Sequence, residues 1–214
     1  MATPRAQTLQ ERFGFKDEDL KMKSHDDIMF WVHNNAYAVL KHYMTKTGTL
    51  KAIDDSWAEQ RSLLQKTLEK HGSIYEYHAN RLSTPARWEI QSATKNALEF
   101  VPRERPHIRI DDKKWEHPIK SSSGFMIGFV DLVIAYRYPI IDRGFMSEYG
   151  IQYRLKTLAC EIKTTLSTAG ELIRQIRMYQ EHSDKYTGWM VICPDDRHAD
   201  ILEDQGIYFY KSPL

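Results

Sequence analysis

The sequence predicts an α/β fold, a mixed central β-sheet flanked by helices and preceded by an N-terminal helical extension, on three observations. Up to about residue 100 the apolar residues recur at helical spacing behind helix start signals. After residue 105 the texture changes to runs rich in β-branched and aromatic residues. The later runs are separated by helix-length segments, which is the rhythm of βαβ units.

The elements follow in order. Residues 1–24 are polar and charged, with Leu9, Phe13 and Phe15 as the only bulky apolar groups before Leu20, and are expected to form a flexible or loosely docked arm. Residues 25–84 form the helical region. From Asp26 or Asp27, Ile28, Trp31, Val32, Ala36, Val39, Leu40 and Tyr43 line one face of a first helix. A second runs from Asp54 or Asp55 to Gly72, with Trp57, Leu63, Leu64 and Leu68 as its apolar side. Residues 85–214 form the α/β core, opened by a third helix that Thr84 caps and Pro85 starts. "HIRI", "GFMIGFVDLVIAYRY", "YGIQYRLKTLACEIK", "GWMVIC" and "IYFY" then read as strands. The turn-like "PIIDRGFMSEYG" makes the second and third a long hairpin, and helices over 168–182 and about 196–205 separate the last three. In the former, Thr168 and Glu171 have capping-box spacing. The latter is expected to be capped by Asp195 or Asp196.

Composition narrows the function classes. With 214 residues, 42% hydrophobic and 28% charged, global disorder is disfavoured. A formal charge of +1 carries no whole-chain signal for nucleic acid, so a basic groove would have to be local. Cys160 and Cys193 lie in apolar runs without metal-ligand spacing and read as core thiols. No apolar run is long enough for a membrane span and the first residues lack a signal-peptide core, which makes the cytoplasm the expected location.

The chemistry concentrates on two strands and a helix. In "GFVDLVIAY" both faces are apolar, with Phe129, Val133 and Ala135 on one side and Val130, Leu132, Ile134 and Tyr136 on the other, so the strand is central and Asp131 interrupts it. A carboxylate there needs a compensating partner. In "LKTLACEIK" the two-residue alternation places Glu161 and Lys163 side by side, and a hairpin between the strands brings both to Asp131. Two carboxylates with room for water suit Mg2+ or Mn2+, and a neighbouring ammonium can contact a phosphate or prepare a nucleophile. An isolated acid-x-lysine is most often an ordinary surface ion pair; the aspartate in an apolar strand and the helix that follows are what favour a phosphodiester-cleaving site. On that helix Leu172, Gln175, Ile176 and Tyr179 form one stripe, which sets the polar ends of Gln175 and Tyr179 toward the sheet. Arg174 and Arg177 lie off the stripe and could reach a phosphate backbone, although a solvated face explains them equally well.

Taken together, "GFVD", "EIK" and "QIRMY" resemble the three motifs of the PD-(D/E)XK nuclease superfamily, and more narrowly its RecB-like, lambda-exonuclease-like branch, over roughly residues 85 to 193. The resemblance implies a restriction-endonuclease-like sheet, a divalent metal and cleavage of DNA, often from an end. By it Asp131 and Glu161 bind metal with the carbonyl of Ile162, Lys163 assists the attacking water, and Gln175 and Tyr179 position the site. Members of the family often add an acid or histidine from a preceding helix; Glu89 is the first choice here and His78 the second. The iron–sulfur members carry four cysteines and this chain two. The expectation is a metal-dependent DNA nuclease. A restriction-type endonuclease, a non-catalytic nucleic-acid-binding module, and an interaction subunit of a defence or repair complex are the rivals. RNA as substrate, a homo-oligomer and a larger complex stay open.

Overall fold

The computed structural model describes residues 23–71, 107–141, 151–183 and 185–213. The expected arm and the expected helix after Thr84, with His78 and Glu89, lie outside the described residues. Three helices come first, α1 (Lys23–Asn34), α2 (Ala36–Lys46) and α3 (Thr49–His71). They are followed by β1 (Arg109–Lys120), β2 (Met126–Ile141), β3 (Ile151–Ile162), α4 (Ala169–His182), β4 (Gly188–Cys193), α5 (Ala199–Asp204) and β5 (Tyr208–Lys211).

The five strands form one sheet in the order β1-β2-β3-β4-β5. β1 and β2 are antiparallel, whereas β3, β4 and β5 run parallel, so the sheet is mixed. Parallel neighbours need crossovers, and α4 and α5 supply them. Two compact units divide the chain. One comprises 1–47, 109–137 and 155–214, and the other 48–108 and 138–154, of which α3 and the outer ends of β2 and β3 are described.

The first unit is layered. Alternate residues of β5 serve opposite faces: Tyr208 meets Tyr43 edge-on at 5.0 Å and Tyr210 meets Trp31 at 5.9 Å, while Phe209 joins the cluster of Leu172, Ile176, Tyr179 and Trp189. Helices α1 and α2 therefore cover one face and α4 the other. β4, between β3 and β5, has buried side chains at every position after Gly188. Both cysteines are buried, as core thiols should be.

Three local expectations change. The first helix is two, because the chain breaks at Asn35, whose side-chain amide donates to Trp31 O at 2.8 Å. The capping box of α4 is not formed: Thr168 occupies the cap position with extended backbone but makes no side-chain cap bond, and burial of Leu172, Ile176 and Tyr179 holds the helix. Asp195 and Asp196 do not cap α5, which begins after His198; their carboxylates are engaged instead by Arg197 at 2.6 Å and Lys211 at 2.8 Å.

Candidate active site

β2 and β3 are neighbours, and the side chain of Asp131 reaches across to the end of β3, where Oδ2 accepts the Ile162 N–H at 2.7 Å. The carboxylate thus sits at the β2–β3 seam, 4% exposed, next to the two residues with which the sequence paired it. Burial pushes its pKa up, but His25, Lys163 and the Ile162 N–H together outweigh burial and hold it below the ordinary aspartate value.

Glu161 is fully buried on β3. Leaving an ion of this kind without donors costs several kcal/mol. Two donors converge on Oε1, the Lys163 ammonium at 3.2 Å and the Gln175 amide at 2.8 Å. Lys163 also lowers the pKa of Asp131, so one cation serves both acids. Gln175 Nε2 donates in turn to Tyr179 Oη at 3.0 Å. One turn of α4 thereby fixes the carboxylate, as the stripe through Gln175 and Tyr179 predicts.

The glycine of "GFVD" makes room for that turn. A Cβ at Gly128 would lie 2.5 Å from Tyr179 Oη, so no larger residue fits under the ring as it stands. Motifs about fifty residues apart in the chain meet in this one contact.

Two site residues escaped the sequence reading. His25 on α1 is 2% exposed, with Nε2 3.1 Å from Ile162 O and 3.9 Å from Asp131 Oδ2. Its signal was present, because His25, Ile28 and Val32 continue one stripe at i, i+3 and i+7. The expected start at Asp26 or Asp27 left it outside the helix. The second is Glu116 on β1. The pairing steps from Trp115↔Leu132 to His117↔Val130, which sets Glu116 opposite Asp131, and Glu116 adopts a left-handed φ of 43°. Burial first, then the charges of Asp131 and Asp26, raise its pKa, while His25 lowers it. Its strand was read only as far as Ile110 because "DDKKWEHP" is polar, as an exposed edge strand with lysines and a proline is.

Strict alternation also fails at this point. Val130 and Val133 belong to the same buried cluster, although an unbroken strand would send them to opposite faces. The irregularity falls beside Asp131, between the paired positions 130 and 132.

Arg174 is exposed on α4, and Arg177 is committed within the protein, donating to Gln180 Oε1 at 2.8 Å and to Gln205 O at 2.6 Å. Among the described residues no group of three or more His, Cys, Asp or Glu side chains stands ready to hold a metal ion. An ion here would use a main-chain oxygen too. The donor chemistry fits that requirement: the Ile162 carbonyl lies 3.1 Å and the Asp131 carboxylate 3.9 Å from the His25 imidazole nitrogen, with the Glu161 carboxylate next along the chain. Comparison with protein-family models, curated proteins and solved structures finds no match to this chain.

Proposed function

We propose that this protein is a divalent-metal-dependent nuclease of the PD-(D/E)XK kind, with a restriction-endonuclease-like core, that hydrolyses DNA. The observation that carries the reading is the seam at which the Asp131 carboxylate binds the Ile162 N–H while Lys163 bridges electrostatically to it and to Glu161. Charged groups buried at such cost in a sheet centre call for a use beyond packing.

Asp131 and Glu161 would hold a magnesium or manganese ion, with the Ile162 carbonyl and His25 as further protein donors. When bound, such an ion supplies Lewis acidity toward a scissile phosphate. The Lys163 ammonium orients the attacking water or contacts the phosphate. Gln175 keeps Glu161 in one orientation by donating to its carboxylate, and Tyr179 steadies Gln175 by accepting from the same amide nitrogen. On this reading His25, from helix α1, would serve the role for which the sequence offered Glu89 or His78.

The test is incubation with Mg2+ or Mn2+ and a panel of linear duplex, circular duplex, single-stranded DNA and RNA. Cleavage that Asp131→Ala and Lys163→Ala abolish, in proteins that keep the parental circular dichroism, is the expected result. Cleavage of the linear but not the circular duplex identifies an exonuclease; discrete fragments from the circle identify an endonuclease. A parent protein inert on every substrate, or variants that cut at its rate, would overturn the assignment.

A further inference from the structure

Beside the seam, the surface shared by α1 and β1 carries an aromatic group that packing does not account for. Phe30 is 65% exposed and Trp115 36% exposed, and their rings meet edge-on at 6.2 Å. His33 stacks on the Trp115 indole with centroids 4.9 Å apart and planes 13° from parallel. Lys113 donates to His33 O at 2.8 Å, which fixes an ammonium at the edge of the stack. Large exposed apolar rings with a fixed cation beside them mark a binding surface rather than a core.

Its position says what it binds. Trp115 pairs across the ladder with Leu132, the residue after Asp131, and is followed by Glu116, which faces Asp131. Phe30 and His33 continue the helix that brings His25 to the same carboxylate. The rings therefore sit on the same two elements, α1 and β1, that carry His25 and Glu116. Asp26, one turn before Phe30 and 72% exposed at its side chain, repels phosphate. A nucleic-acid strand is thus favoured to present a base to the rings, with Lys113 as the local counter-charge.

We infer that Phe30, Trp115 and His33 form a stacking platform for an unpaired base of the substrate strand, adjoining the position of the scissile phosphate. This inference rests on the nuclease reading and deepens it, because it names a single-stranded or frayed segment as what enters the site. Stacking of a base on an aromatic side chain contributes about 1–3 kcal/mol without regard to sequence.

The experiment is fluorescence anisotropy of a short labelled single-stranded DNA with the full chain, in EDTA so that the strand stays intact, alongside the cleavage panel and sedimentation velocity. Phe30→Ala and Trp115→Ala are each expected to weaken binding about five- to a hundredfold. Trp115→Tyr retains a stacking face and is expected to bind within about threefold of the parent. Phe30 is mostly exposed, so Phe30→Ala keeps the test valid if Trp115→Ala does not fold. Alanine variants that bind like a parent that binds and cuts would overturn the platform and leave the nuclease reading standing. A parent that neither binds nor cuts overturns both. A loss of self-association in Trp115→Ala with unchanged DNA binding assigns the rings to a second copy of the chain and also overturns the platform.

Discussion

Replacing Gly128 by alanine tests how tightly the helix α4 and the strand β2 are coupled. The added Cβ would stand 2.5 Å from Tyr179 Oη, 2.6 Å from Cε1 and 2.8 Å from Cζ, all well inside van der Waals contact. A flexible side chain could swing away, but the Tyr179 ring is fully buried, lies 6.1 Å from Trp189 and is tied by its hydroxyl to Gln175. Overpacking of this kind costs about 1–3 kcal/mol, and contacts this close to an anchored ring belong near the upper end. Loss of the glycine's freedom in the unfolded chain returns about 0.4–1 kcal/mol. The net expectation is a destabilisation of about 2 kcal/mol, which for a chain of this size lowers Tm by about 4–8 °C. Urea denaturation followed by circular dichroism measures it, and a Gly128→Ala, Tyr179→Leu double variant should recover part of the loss because the smaller side chain vacates the space. A Gly128→Ala protein as stable as the parent, or a double variant no better than the sum of the single changes, would show that the close approach does not govern the packing of α4.

Gln175→Leu keeps the volume but removes a donor from the buried Glu161 carboxylate, and is expected to cost about 1.5–3 kcal/mol in the same denaturation assay; a change under about 0.5 kcal/mol would remove Gln175 from the support of that charge. Lys163→Ala should lower single-turnover cleavage by about 10²–10⁴-fold, and parental rates would deny it a role in proton transfer or phosphate contact. His25→Ala should raise the Mn2+ concentration needed for half-maximal activity more than it lowers the rate at saturating metal; an unchanged metal requirement would make His25 structural. The folded pKa of Asp131 lies below its unfolded value, so in acid the unfolded chain takes up that proton first. The stability this group provides is present above the unfolded aspartate value near 3.8 and is lost as pH falls through the lower folded one. Asp131→Asn in metal-free buffer should accordingly show a shallower fall in stability on acidification below about pH 5, and a slope equal to the parent's would contradict the lowered pKa.

What could be read from the chain was whatever leaves a periodic or compositional trace nearby. Two apolar faces with one aspartate between them marked β2 as central, the alternation of Glu161 and Lys163 assigned both to one side, and the stripe through Leu172, Gln175, Ile176 and Tyr179 anticipated which polar groups would meet the sheet. Most of β1 beyond "HIRI" escaped because an edge strand need not be apolar, so "DDKKWEHP" offered no pattern to detect.

The sequence by itself determined that Glu161 and Lys163 emerge on one side and that Gln175 and Tyr179 share one helix stripe, because strand and helix periods act over a few residues. Tertiary structure alone decided that His25, more than a hundred residues upstream, closes on Ile162 and Asp131, and that a left-handed Glu116 stands opposite that aspartate. It also decided that Gly128 must yield its volume to Tyr179. These are distances between elements remote in the chain, set by how whole faces pack, and no local repeat encodes them.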